Sequence, residues 1–160
     1  MTTVPMSQHR AASRRLADEA ATAQLGAALA ALARPGDAIL LAGPYGAGKT
    51  ALARAFLRAA TGEPDLVVPS PSFTLVQAYS LPGGTTAWHF DLWRLSGEAD
   101  LAELGWEEAR AGIVLVEWPD KLGRLAPAEA LTVTLWPVAG DPSAREVTLS
   151  GWEGRLEGLA

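Results

Sequence analysis

The 160-residue chain has no cysteine, no asparagine and only two lysines, Lys49 and Lys121. Without cysteine there is no disulfide framework, no thiolate metal site and no thiol nucleophile. Without asparagine there is no Asn-Lys-x-Asp segment of the kind that reads guanine. Positive charge is also scarce: 13 Lys and Arg stand against 18 Asp and Glu, a formal net charge of −5. A chain that grips nucleic acid unaided needs clustered cations against the phosphates, so any role near RNA or DNA would run through a partner. No apolar run approaches the roughly 20 residues of a membrane span. Arg10 to Arg15 and the alanines after them imitate a targeting leader, but Asp18, Glu19 and Gln24 interrupt the apolar block. The cytoplasm is the default compartment.

What is present is concentrated in residues 43–50, Gly-Pro-Tyr-Gly-Ala-Gly-Lys-Thr, which fit Gly-x4-Gly-Lys-Ser/Thr at every defining position. Ile39 to Ala42 before it reads as a short buried strand, and Ala51 to Ala60 after it as an apolar helix. That strand–loop–helix setting separates the phosphate-binding motif from an ordinary glycine-rich turn. Glycines at 43, 46 and 48 let the backbone approach a ligand closely, and the amides then form an anion nest at the positive end of a helix. In such a loop Lys49 reaches the β- and γ-phosphates and the Thr50 hydroxyl takes a magnesium ion.

The rest of the chain reads as one domain over residues 1–160, with 1–15 as a loose tail. Asp18 caps a helix from about Glu19 to Ala33, stopped by Pro35-Gly36. Leu66 to Val68 is a short apolar piece within a turn-rich stretch. Phe73 to Tyr79 and Thr86 to Arg94 form a hairpin, residues 98–110 alternate at helical period, and Ile113 to Glu117 is a buried strand. Leu131 to Val138 and Arg145 to Leu149 flank a turn at Gly140-Asp141-Pro142. This order predicts an α/β fold with helices on a mixed sheet.

A phosphate loop needs a carboxylate to hold the magnesium from the other side, commonly at the end of a neighbouring apolar strand. Glu117 has that position; its alternative is a solvated acid at a strand end. His89 and Asp91 share one face of their strand, so Asp91 either orients a water or the metal shell, or simply pairs with Arg94. Arg94 itself is a candidate for phosphate contact. Ser70-Pro71-Ser72-Phe73-Thr74 is either a γ-phosphate sensor or ordinary turn chemistry. Trp118 follows Glu117 and so lies near the same end of the sheet.

Taken in order, these segments resemble the TsaE (YjeE) family, bacterial ATPases of tRNA threonylcarbamoyladenosine biosynthesis. Asp18-Glu19-Ala20-Ala21-Thr22 matches its Asp-Glu-x-x-Thr helix start, and the loop matches Gly-Asp-Leu-Gly-Ala-Gly-Lys-Thr-Thr. Ser70 to Val76 matches Ser-Pro-Thr-Phe-Thr-Leu-Val, and His89 to Leu95 matches His-x-Asp-Leu-Tyr-Arg-Leu. Ala102 to Gly105 and Val116 to Pro119 match Glu-Glu-Leu-Gly and Val-Glu-Trp-Pro. The resemblance spans about residues 16–122 and is collinear.

The resemblance implies a three-layer, P-loop NTPase-like fold with a mixed β-sheet. It implies ATP or ADP on Gly43, Tyr45, Gly46, Ala47, Gly48, Lys49, Thr50 and Ala51, with a further contact from Thr22. Mg2+ would sit on Thr50 and Glu117, and Lys49, Asp91 and Glu117 would carry hydrolysis. The implied partners are the TsaB and TsaD proteins, with tRNA touched only indirectly. Pro44 and Tyr45 depart from the usual Asp-Leu, stiffening the loop. Ala51 lacks the second hydroxyl that touches the α-phosphate, which weakens the expected grip. A small-molecule kinase, with Arg94, Arg110 or Arg124 as lid cations, and a nucleotide-gated adaptor remain alternatives. An ABC-type ATPase fits poorly, because Glu98 in Leu95-Ser96-Gly97-Glu98 stands where its signature needs glycine.

Overall fold

A computed structural model of the chain describes residues 12–159. Seven strands form a single sheet: β1 (Ala12–Leu16), β2 (Ala38–Ala42), β3 (Val76–Ser80), β4 (Thr86–Asp91), β5 (Ile113–Glu117), β6 (Leu131–Val138) and β7 (Asp141–Ser150). Their spatial order is β1-β7-β6-β2-β5-β4-β3. Strands β4, β5, β2 and β6 run parallel, while β3, β7 and β1 pair antiparallel to their neighbours. The central β2 and β5 are nearly all apolar, as strands covered on both faces must be.

Two cores lie on opposite faces of the sheet. On one face α1 (Glu19–Leu32) and α2 (Lys49–Thr61) pack Leu25, Leu29, Leu52 and Phe56 against Ile39, Leu41, Leu115 and Val133. On the other, α3 (Ala99–Glu103), α4 (Trp106–Ala109) and the 3-10 turn Pro119–Leu125 bring Leu101, Trp106 and Leu122 onto Leu40, Phe90, Val114 and Val116. Alternate residues of β2, β4 and β5 therefore go to different cores, the period-2 signature of a strand. Three layers result.

Asp18 caps α1 as its sequence predicts, its Oδ1 accepting the Ala21 N–H at 2.9 Å. Several expectations are corrected. Residues 12–15, read as part of a loose tail, belong to β1, which pairs with β7 from Ala12↔Leu149 to Leu16↔Arg145. The remainder of that expected tail, 1–11, and with it Arg10 of the leader-like stretch, lies outside the described residues. The helical run over 98–110 is two short helices, broken at Gly105, whose φ of 78° no continuous helix accommodates. β3 starts at Val76 instead of Phe73, and β4 ends at Asp91 instead of Arg94. There the Asp91 carboxylate accepts the Trp93 N–H at 3.1 Å and turns the chain out of the sheet.

Candidate nucleotide site

The C-terminal ends of the parallel strands β2, β5 and β4 meet at one edge, the crevice where open α/β sheets characteristically place ligands. From β2 the chain enters the loop 43–48 and emerges as α2. Gly43, at φ 138°, passes so close to the Leu135 carbonyl on β6 that a Cβ would collide with it. Gly48 is the N-cap of α2 at φ 104°, a conformation L side chains rarely adopt. Between them the Ala47 N–H closes a tight turn on the Pro44 carbonyl at 3.1 Å.

Among the described residues, the buried polar or charged side chains are Lys49, His89, Asp91 and Glu117, and all four gather beside this loop. Such burial is costly unless each group is partnered, and the partners are specific. Glu117 is the hub. The Thr50 hydroxyl donates to its carboxylate, at 2.8 Å from Oε1 and 3.1 Å from Oε2, and His89 Nε2 lies 2.7 Å from Oε2. Against an ionised carboxylate, which only accepts, Nε2 is the donor of that contact when it carries the ring proton. His89 Nδ1 is buried with no hydrogen-bond partner among the described residues.

Asp91 stands directly across from Glu117 in the β4–β5 register. Its Oδ2 accepts from the Ser70 hydroxyl at 3.1 Å, with Ser72 at 3.5 Å and the two serines 2.9 Å apart. The serine loop thus folds onto the site, whereas Phe73 and Thr74 point outward. Among the described residues Asp91 forms no ion pair with Arg94, which is exposed and lies over the Phe73 ring at 4.7 Å. Arg94 is therefore directed away from both alternatives considered for it.

Lys49 turns back into the loop. Its Nζ donates to the carbonyls of Gly43 at 2.6 Å and Pro44 at 3.0 Å and rests 3.8 Å from the centre of the Trp118 ring. Trp118 in turn stacks on the half-exposed Trp93, with centroids 4.4 Å apart. Burial pushes the Lys49 ammonium below its ordinary 10.5, while Glu117 and then Asp91 pull it back up.

Two cavities flank the loop. One of about 410 Å³ is lined by Lys49, Thr50, Ser70, Asp91, Glu117 and Trp118 among others, with Tyr45 exposed at its rim. The other, about 680 Å³, opens between α1, α2 and β7 and includes Thr22, Ala47, Arg54, Ser143 and Arg145. Gly48 and Ala51 border both. Thr22 thus stands across from the loop, its own hydroxyl turned to the Asp18 carbonyl at 3.5 Å.

The donor set suits a hard divalent cation: a carboxylate and a hydroxyl in contact, with a second carboxylate in register. Magnesium takes one or two protein oxygens and completes its shell with water and phosphate. No cluster of three or more His, Cys, Asp or Glu among the described residues would hold a metal ion. Arg145 and the His89–Glu117 contact escaped sequence reasoning. His89 was placed on the correct face but given no role, and nothing in the sequence of β7 marks Arg145.

Fold and site together define a P-loop NTPase-like α/β protein. A profile of the family described as "Threonylcarbamoyl adenosine biosynthesis protein TsaE" matches residues 16–146. The chain is 34% identical over 132 residues to the tRNA threonylcarbamoyladenosine biosynthesis protein TsaE of Bacillus subtilis, covering 81% of this chain and 79% of that one. It is 32% identical over 149 residues to the protein of that name from Nostoc, covering 90% and 88%. The crystal structure of YdiB from Bacillus subtilis superposes with a TM-score of 0.73 at 27% identity, covering 94% of this chain and 91% of that one. The chain belongs to the TsaE family, which acts in tRNA threonylcarbamoyladenosine biosynthesis.

Proposed function

We propose that this protein binds ATP and ADP with Mg2+ and hydrolyses ATP as the energy-supplying member of the threonylcarbamoyladenosine machinery. The observation that carries this reading is the convergence of Lys49, His89, Asp91 and Glu117, all buried, on a loop whose glycines admit a close ligand. Buried ionisable groups gathered in a cleft, with the Lys49 ammonium lowered by burial, are characteristic of functional sites.

In this reading the β- and γ-phosphates lie on the Gly46–Thr50 backbone, and Lys49 exchanges its two loop carbonyls for phosphate oxygens. The nucleoside extends past Gly48 and Ala51 into the larger cavity, toward Thr22. Thr50 and Glu117 would hold the magnesium, which when bound neutralises charge on the phosphates. His89, 2.7 Å from Oε2, fixes the Glu117 carboxylate in orientation. Asp91, steadied by Ser70 and Ser72, faces the γ-phosphate end and accepts a hydrogen bond from the attacking water. Its serine loop would sense whether that phosphate is present.

The work done by hydrolysis would be on protein partners, the TsaB–TsaD pair, in the cytoplasm. The net charge of −5 supports contact with tRNA only through them. No helix among the described residues is long and apolar enough to cross a membrane. Of the lid cations the kinase alternative would use, Arg110 donates to the Gly36 carbonyl at the far end of β2, while Arg94 and Arg124 stay exposed. Single-turnover hydrolysis with and without TsaB–TsaD tests the reading. Slow turnover alone, accelerated by the pair, is expected. Phosphate transfer to a small acceptor, indifferent to the pair, would overturn it.

A further inference from the structure

Arg145 lies 98 residues beyond the loop residue it touches and belongs to none of the motifs above. It stands on β7, between β6 and β1, with Pro137 and Leu16 as its ladder partners. Each nitrogen of its guanidinium makes a contact. Nη1 donates to the carbonyls of Pro142 at 2.8 Å and Ala144 at 2.7 Å, holding the side chain on its own strand. Nε donates to the Ala47 carbonyl at 2.9 Å, and Nη2 reaches toward the Gly46 carbonyl at 3.5 Å. A Cβ on Gly48 would stand 3.7 Å from Nε, so the guanidinium lies beside the last glycine of the loop.

The peptide unit gives this contact a consequence. In a planar trans peptide the carbonyl and the following N–H point in opposite directions. Pinning the Ala47 carbonyl toward β7 therefore aims the Gly48 N–H away from β7. From there the free N–H groups of the first turn of α2 continue the same nest. A lone loop of glycines has no such preference, because its peptides rotate at little cost. We propose that Arg145 is a positioning residue: it fixes the Ala47–Gly48 peptide with its N–H toward the phosphates, and so preorganises the nest from a strand that contributes nothing else to it. A rigid fork on two carbonyls is a task for guanidinium, not for an ammonium on a flexible stem.

The inference rests on nucleotide binding as proposed above, and its test separates the two. Calorimetric titration of wild-type protein with Mg-ADP comes first; absence of heat there sinks the binding reading itself. With that binding in hand, Arg145→Ala is expected to weaken ADP roughly 10- to 100-fold, the range for losing a charge-assisted hydrogen bond that orients a ligand-binding donor. Inorganic pyrophosphate should weaken by a similar factor, because the effect lies at the phosphates. Methylguanidine added to Arg145→Ala should restore part of the affinity. Arg145→Lys, which keeps the charge, should remain impaired; it also serves as the test protein if the alanine variant does not fold. ADP affinity within twofold of wild type in a folded variant overturns the proposal. So does a loss confined to ADP and absent for pyrophosphate, which would make Arg145 a base contact. Full activity of Arg145→Lys overturns it too, reducing the residue to its charge.

Discussion

At the scale of single residues the site turns on one cation that folding does not favour. Burial lowers the Lys49 ammonium below 10.5, with Glu117 and Asp91 only partly offsetting it. Between that lowered value and 10.5 the unfolded chain holds more protons than the folded one, so the lysine's contribution to stability rises with pH across that window and is level below it. Nucleotide binding has the opposite sign. Phosphate anions favour the charged amine, so affinity for Mg-ADP should fall as pH rises through the lowered value, before an ordinary lysine would titrate. Titrations across the alkaline range should show this decline in wild type. Lys49→Ala should bind at least about a hundredfold more weakly, since it loses two charge-assisted contacts, and should show no such slope. Unchanged affinity in that variant would remove Lys49 from the phosphates. Tyr79 on β3 offers a contrast. Its hydroxyl is buried without a partner among the described residues, and burial raises its pKa above 10.0. The proton it retains in the fold means that stability is lost once pH exceeds its unfolded value. Tyr79→Phe removes an unsatisfied hydroxyl and should stabilise by about 1 kcal/mol, with a gain that widens above pH 10.0 in denaturant melts.

Among elements, the contact of α1 with α2 sets the width of the larger cavity. Gly26 is its closest point: a Cβ there would stand 2.5 Å from the Ala55 Cβ and 2.8 Å from the Phe56 nitrogen. Gly26→Ala brings two opposed effects. Helix propensity gains up to about 1 kcal/mol, while forcing a methyl into a backbone contact costs about 1–3 kcal/mol. The neighbour is backbone as well as side chain and cannot swing aside, so the cost should win. A fall in Tm of about 2–6 °C is expected, with weaker ADP binding as α1 carries Thr22 outward. A rise in Tm would show that the helices separate freely. Elements with a strong local signal were legible in the sequence. β2, α2 and β5 carry unbroken apolar patterns, and α1 carries its own cap. β1 was not, because Ala-Ser-Arg-Arg-Leu has no apolar alternation and exists as a strand only through its ladder with β7. The Gly105 break was hidden for a related reason: both halves of 98–110 keep helical spacing, and the chain turns only because glycine tolerates φ 78°.

On the scale of the whole molecule, the sheet brings together residues that the sequence keeps far apart. The loop and the strand-end acid could be read locally, and the β4–β5 register then places Asp91 opposite Glu117. The contacts of His89 with Glu117 and of Arg145 with Ala47 depend on strand order, which no local pattern encodes. Because the loop, both carboxylates and the serine segment belong to different strands or connections, a ligand bound among them should stabilise the fold as a unit. At a concentration of 100 times Kd a ligand specific to the folded state adds about 2.7 kcal/mol. For a chain of this size that corresponds to a rise in Tm of about 5–10 °C. Two variants divide the effect. Lys49→Ala should lose the rise with or without magnesium, because the phosphates are no longer held. Glu117→Gln keeps the Lys49 contacts but removes a charge from the cation's shell, so ADP alone should still raise Tm while added magnesium contributes little further. An unaltered magnesium increment in folded Glu117→Gln would show that this carboxylate does not face the ion, and Asp91, its neighbour across the register, would become the acid to replace next.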